Sequence, residues 1–267
     1  MSLLQATTST TSPSLVLDER DGAVAILTLN HPARRNVLSS ALLAELLARL
    51  ESVAADRGVR CLILAASGPV FSAGHDLAEL LAADAEQLQS IFSLCTRVME
   101  TIRLAPKPVI AQVQGIATAA GCQLAATCDL IVASRAASFA TPGVKIGMFC
   151  STPAVALSRA VPAKKALEML FTGMPISAAE AERSGLVNQV VEAERLETAT
   201  RALAQRIATA SGDTLARGKR AFYAQLALDL PAAYDVACQA MVDGAQTPDG
   251  QEGMRAFIEK REPQWRD

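Results

Sequence analysis

The chain has 267 residues, 51% of them hydrophobic and only 4% aromatic, with 25 basic and 27 acidic residues and a formal net charge of −2. That is enough apolar material for one large α/β domain, or for one domain with a helical appendage. The charge balance lacks the basic excess of a nucleic-acid binder, and no stretch approaches the ~18–20 unbroken apolar residues of a transmembrane helix. The cysteines at 61, 95, 122, 128, 150 and 238 form no CxxC pair. They have no metal-ligand spacing and read as buried free thiols in a reducing compartment.

Residues 1–14 are rich in Ser and Thr and read as a mobile tail. They carry no positive charge and no continuous apolar segment of the targeting type, so the chain is expected to be cytoplasmic. Val24 to Leu29 form an apolar run stopped at Asn30-His31-Pro32, which reads as a buried strand entering a loop. Leu42, Leu43, Leu46, Leu47 and Leu50 repeat at helical spacing, and Cys61 to Ala65 read as a second short strand. A helical face follows from Ile91 to Ile102, ended by Pro106 and Pro108. Val109 to Val113 form a third strand, small residues open a helix near Ala120, and Leu130 to Ala133 form a fourth strand. Strands alternating with helices imply a mostly parallel sheet covered by helices.

Beyond residue 150 the pattern turns helical. A helix over Pro162 to Phe171 is stopped by Gly173, and Ser177 with Glu180 has the spacing of a capping box. Asn188 to Val191 read as a short strand, and residues 193–264 read as helices only. The core is therefore placed at 15–198 and a C-terminal helical region, with apolar faces available for burial between subunits, at 199–267.

Two loop-to-helix junctions carry the chemistry. One is Phe71-Ser72-Ala73-Gly74-His75-Asp76-Leu77, and the other runs from Gly115 through Ala120 and Gly121 to Gln123. Each follows a buried strand and is built from small residues. A helix N-terminus offers unpaired N–H groups and the positive end of the dipole. Two such ends meeting at one point would stabilise a developing oxyanion.

In order along the chain, these segments resemble the motifs of the crotonase (enoyl-CoA hydratase/isomerase) superfamily. Phe71–Leu77 resembles the first oxyanion motif, and Val109–Leu130, ending Cys128-Asp129-Leu130, resembles the second. The loop Asn30-His31-Pro32 with Arg35-Asn36-Val37-Leu38, and the ending Glu252-Gly253-Met254 with Phe257 and Lys260-Arg261, match the family at either end. The resemblance covers roughly residues 15–265. It implies a crotonase-like spiral of ββα units with a C-terminal helical trimerisation domain, assembled as a homo-trimer or hexamer. It also implies an acyl-CoA substrate, with no cofactor beyond the coenzyme A moiety, no nucleic-acid partner and no membrane. On this resemblance the backbone N–H groups of His75 and Ala120 form the oxyanion hole, and Ala73, Gly74, His75, Asp76 and Leu77 line the coenzyme A channel. Arg34 and Arg35 lie near the nucleotide, and Phe257 and Lys260 reach a coenzyme A on a neighbouring subunit. Within the superfamily, Ala117–Gln123, Ser138–Gly143 and Phe149–Pro153 look closer to one branch, that of the mitochondrial enoyl-CoA hydratase domain-containing protein 3 and its bacterial relatives.

The resemblance breaks at two positions. Family hydratases move protons with two glutamates, and the matching positions here are Gln123 and Gly143. An amide is no general base and glycine has no side chain, and losing such a group typically costs ~10²–10⁴ in rate. Hydratase chemistry by the usual route is therefore put in doubt. The triplet Gly74-His75-Asp76 also resembles the superfamily's methylmalonyl-CoA decarboxylases. Loss of CO₂ needs no base, only a stabilised enolate oxygen. A malonyl-type decarboxylase and a non-catalytic acyl-CoA-binding protein are therefore the alternatives. The His75 ring is expected to pack on its loop, Asp76 to cap the next helix, and Cys150 to be a buried, inert thiol. A serine protease is excluded because only His31 and His75 are available and no serine sits in a nucleophile-like turn. No GxGxxG follows the first strand, which argues against a dinucleotide site.

Overall fold

The computed structural model describes residues 14–266. The expected tail therefore lies outside the described residues, apart from Ser14. That residue is held in place: its carbonyl accepts from Asn30 Nδ2 at 3.0 Å, and its hydroxyl binds the Glu45 carboxylate.

In chain order the elements are β1 (Val16–Asp21), β2 (Val24–Leu29), α1 (Ser40–Ala55), β3 (Cys61–Ala66), β4 (Val70–Ser72), α2 (Leu77–Ala82) and α3 (Ala85–Leu104). Then come β5 (Val109–Val113), β6 (Ile116–Thr118), α4 (Ala120–Thr127), β7 (Leu130–Ser134), β8 (Ser138–Ala140), α5 (Ser151–Ala160) and α6 (Ala163–Thr172). The chain closes with β9 (Ile176–Ser177), α7 (Ala178–Arg183), β10 (Gln189–Val191), α8 (Leu196–Ala208), α9 (Gly212–Gln225), α10 (Leu230–Gln246) and α11 (Pro248–Glu259).

Strands alternate between two sheets. The larger has the order β1-β2-β3-β5-β7-β10 and the smaller β4-β6-β8-β9. Only the edge strands β1 and β9 pair antiparallel; the rest are parallel. Each turn of the chain lays one strand in the large sheet and the next in the small sheet before returning through helix. This is the ββα repeat of a spiral. The inner strands β2, β3, β5 and β7 are buried on both faces, as parallel strands must be. One core lies between the sheets and under α1, α3 and α4; a second forms where α8 packs Leu196, Ala204 and Ala208 on Val24, Ile26, Cys61 and Ile63.

Local chemistry sets the helix starts. Ser39 caps α1 by accepting from Leu42 N–H, and Leu42, Leu43, Leu46, Leu47 and Leu50 are its buried face. Helix α3 starts six residues before its apolar face because Asp84 and Gln87 form a reciprocal capping box. Ser177 caps α7 through Glu180 N–H, but only half of the expected box forms. The Glu180 carboxylate turns instead to Lys165 Nζ at 2.5 Å.

The boundary placed between residues 198 and 199 falls inside α8, which belongs to the large sheet's outer face. The helices beyond it, α9 and α10, bury no residue within the chain, and they carry exposed Phe222, Leu230, Tyr234 and Met241. All six cysteines are free; five are buried, as expected, while Cys238 is exposed on α10. No helix among the described residues is long and apolar enough to cross a membrane.

Candidate active site

The small sheet positions the site. Strands β4, β6 and β8 run parallel, with Ser72 beside Ala117 and Thr118 beside Ala140. Their carboxyl ends therefore lie next to one another. Three residues past Ser72 is His75, three residues past Ala117 is Ala120, and three residues past Ala140 is Gly143. The chain thus delivers three of the four candidate catalytic positions to one edge of one sheet.

Close approach explains the small residues. A Cβ on Gly74 would lie 3.1 Å from Ala120 N and 2.9 Å from Ala119 Cβ, and Gly74 has a φ of +86°. A Cβ on Gly121 would meet the Ser72 carbonyl oxygen at 2.3 Å. Helix α4 is thus pressed end-on against the turn after β4. Ala119, at φ 50° and ψ −121°, turns the chain into α4, and its N–H donates to Ala140 O at 2.9 Å. Among the described residues, neither His75 N–H nor Ala120 N–H has a hydrogen-bond acceptor. Two free backbone donors on adjacent turns, one at a helix N-terminus, can receive an anionic oxygen.

The loop before α1 holds the first of these turns. Asn36 is fully buried in a left-handed conformation. Its Oδ1 accepts from His31 N at 2.8 Å, and its Nδ2 donates to Ser67 O and Val70 O at 2.9 and 2.8 Å. Ser72 Oγ donates to Asn36 O, Ala73 N donates to Arg35 O and Leu38 N donates to Gly74 O. The motif residues read around Arg35–Leu38 therefore act as a clamp on Ala73–His75, a role that the sequence did not reveal.

The His75 ring packs edge-on against Phe92 at 5.3 Å, and neither ring nitrogen has a hydrogen-bond partner. Burial lowers its pKa from the usual value, so the imidazole is neutral near neutral pH. Asp76 caps α2 through Ala78 N–H at 3.1 Å, as expected. It also takes an ion pair at 2.9 Å from Arg34, which ties up the guanidinium expected at the nucleotide. Arg35 and Leu77 are exposed at the edge of this region.

Gln123 is 5% exposed and its Oε1 is buried without a partner. Gly143 is closed to any side chain: a Cβ would lie 2.3 Å from Met148 O and 2.8 Å from Cys150 Sγ. The Gly143 N–H donates to that sulfur at 3.3 Å, and burial raises the thiol's pKa. Position 143, expected to lack a catalytic carboxylate, thus sits in a tight turn against a cysteine. Phe257, 86% exposed, and Lys260 stand on the surface of α11, which packs on α9 and α10. The structure does not bring them to this edge.

Asp129 anchors the helical region. Its carboxylate accepts from Val109 N at 2.7 Å, Lys219 Nζ at 2.6 Å and Tyr223 Oη at 2.7 Å. Lys219 also donates to Ile102 O and Lys107 O. Lys219 and Tyr223 are 90 and 94 residues from Asp129 in sequence, and only the fold brings them together.

A parallel spiral whose strand ends present two free N–H groups defines the crotonase class of α/β proteins. The chain belongs to the enoyl-CoA hydratase/isomerase family, whose profile matches residues 19–267. It is similar to mitochondrial enoyl-CoA hydratase domain-containing protein 3 of Mus musculus, with 50% identity over 258 residues covering 96% of this chain and 86% of the relative. It also resembles a probable enoyl-CoA hydratase of Rhizobium meliloti at 36% identity, with 94% of this chain and 97% of the relative covered. The crystal structure of human enoyl coenzyme A hydratase domain-containing protein 3 superposes with a TM-score of 0.92 at 48% identity. It covers 94% of this chain and 100% of that one. These relatives correct the expected compartment. The mouse, rat, zebrafish and human proteins at 47–51% identity are named mitochondrial, which points to mitochondria and not to the cytoplasm.

Proposed function

We propose that the chain binds an acyl-CoA thioester with its carbonyl oxygen between the N–H groups of His75 and Ala120, and that it stabilises the enolate formed there. The observation that carries this reading is the contact of Gly74 with the first turn of α4, which sets both free donors on adjoining turns. In the hydratase version, water adds to C3 and the electron pair of the double bond moves onto the thioester oxygen. A proton then returns to C2. Two N–H donors stabilise the oxyanion in that step. Neither Gln123 nor Gly143 can relay the protons, so turnover would be slow beside an enzyme with both carboxylates. The nucleotide is proposed to lie along Ala73–Leu77 with Arg35 nearby. The proposal requires no cofactor beyond the coenzyme A of the substrate. The exposed apolar residues of α9–α11 support assembly as a homo-trimer or hexamer, in which Phe257 and Lys260 would meet a neighbour's ligand.

The test is calorimetric titration of crotonyl-CoA, with loss of the enoyl-thioester absorbance followed in parallel, for the wild type and for Ala120→Pro. Proline at the first helical position keeps the helix but removes the donor. Binding weakened about twofold to tenfold is expected, as for a lost hydrogen bond to a neutral carbonyl oxygen, with turnover lowered further because the donor meets a charged oxygen only in the enolate. Equal binding and turnover in the variant would refute the assignment.

A second reading is decarboxylation of a malonyl-type thioester. It is favoured by the closure of position 143, which leaves no carboxylate there to repel that of the substrate. The C–C bond electrons would pass to the thioester oxygen as CO₂ leaves. Malonyl-CoA and methylmalonyl-CoA both persisting with micromolar protein would remove this reading.

A further inference from the structure

We infer that the chain carries an anion pocket for a phosphate group between the end of α3 and α9, apart from the candidate active site. A cavity of about 330 Å³ opens there, at the small end of the range for ligand sites. Three of its lining side chains are cationic, Arg103, Lys219 and Arg220, and no carboxylate among the described residues lines it. Tyr223 and an apolar wall from residues 104–106, Ala216 and Ala224 complete it. Cations gathered around one cavity repel one another. Low-dielectric walls strengthen that repulsion, and they strengthen the attraction for an anion equally.

The nearby carboxylates do not cancel this charge. Lys219 and Asp129 offset one another at 2.6 Å, and Lys219 Nζ also donates to Ile102 O and Lys107 O. Arg103 and Arg220 are left. Among the described residues, no ion pair or side-chain hydrogen bond engages either guanidinium. Arg103 lies over the Tyr223 ring at 4.1 Å, which holds its fork in place and leaves its N–H groups for a ligand. Glu100, one turn earlier on α3, faces the neighbouring cleft, which Arg103 also borders, and makes no ion pair with it. Asp213 is held by Arg217 at 2.7 Å. Asp243 faces a separate groove between α9 and α10 and accepts from Gln239 at 2.8 Å. The cavity therefore keeps two uncompensated guanidiniums.

Helix ends explain only one of them. Arg103 lies in the last turn of α3, where the dipole favours a cation. Arg220 stands away from both ends of α9, where no dipole favours it. A phosphate suits the pair. Each guanidinium presents parallel N–H donors to phosphate oxygens, and the two together match a phosphate dianion, where a carboxylate would neutralise only one.

The test is calorimetric titration of inorganic phosphate and of ADP, at low ionic strength, into the wild type, Arg103→Gln, Arg220→Gln and Arg183→Gln. Arg183 is exposed at the end of α7 and controls for the loss of one positive charge. The wild type should take up one phosphate per chain. Each pocket variant should weaken that binding at least about tenfold, as for a lost hydrogen bond to a charged group. Arg183→Gln should leave it unchanged. ADP separates the two sources of a phosphate group. An ADP affinity above that of phosphate, lost in both pocket variants, assigns the pocket to a nucleotide; one at or below it assigns the pocket to free phosphate. No saturable phosphate or ADP binding by the wild type overturns the inference. So does an affinity unchanged in both pocket variants, or an equal loss in Arg183→Gln. Arg220 is exposed on a helix that buries no residue, so Arg220→Gln decides alone should Arg103→Gln, which loses the contact with Tyr223, not fold.

Discussion

Restoring the second carboxylate by Gly143→Glu should damage the fold rather than create a hydratase. The Cβ would stand 2.3 Å from Met148 O and 2.8 Å from Cys150 Sγ, and the first of these is backbone that no rotamer change can move. The turn 142–150 must open, and the Gly143 N–H bond to sulfur is lost with it. Overpacking of this kind typically costs about 1–3 kcal/mol. For a chain of this size that corresponds to a Tm lower by about 2–12 °C. Gln123→Glu is the contrast, since it exchanges one amide for a carboxyl of the same shape. Thermal unfolding of the two single variants, with crotonyl-CoA turnover measured beside it, tests the reasoning. A Gly143→Glu protein that melts with the wild type and hydrates crotonyl-CoA faster would show that the turn is pliable. The tight-turn account of the missing carboxylate would then be wrong.

Two further predictions concern stability. Asp129→Ala strands the Lys219 ammonium, whose side chain is 7% exposed, without its counter-charge, and should cost about 3–5 kcal/mol; a Tm within about 2 °C of wild type would show that water enters and replaces the carboxylate. His75 takes up its proton less readily in the fold than in the unfolded chain, so the unfolded state gains protons first as pH falls below ~6.5. Stability should therefore fall as the pH drops from there through the lowered folded value, and a His75→Leu protein should lack that portion of the Tm-against-pH curve; identical curves would show that the ring is solvated.

The large sheet was legible because its strands are continuous apolar runs. Val24–Leu29, Cys61–Ala66 and Val109–Val113 begin and end within a residue of where periodicity and turn residues place them. The small sheet was not, since β4, β6, β8 and β9 are two or three residues long, too short for any period to show. Edge strand β1, VLDERD, is mostly exposed and looks like loop. The oxyanion turns were visible as clusters of small residues, but their convergence depends on strand register, which no local pattern carries. Asn36 was legible as a motif residue only. Its four hydrogen-bond partners lie in three separate segments, so its role as a clamp needs the fold. Phe257 on α11 and Lys260 just past it are exposed, and α11 packs chiefly on α9 and α10.

The site separates two kinds of chemistry physically. On the proposed reading, oxyanion stabilisation would be written in backbone: the two donors are set by Gly74, Gly121 and the positive-φ turn at Ala119, and neither glycine accepts a Cβ without movement. Proton transfer of the hydratase kind would instead need side chains at positions 123 and 143, and here neither is a carboxylate. A family can therefore keep its grip on a thioester while losing or exchanging the reaction that follows. At 143 the backbone leaves no room for a Cβ. At 123 an amide stands buried, with its Oε1 unpartnered among the described residues. The first position admits no side chain, and the second holds an acceptor that only a hydrogen-bond donor would satisfy.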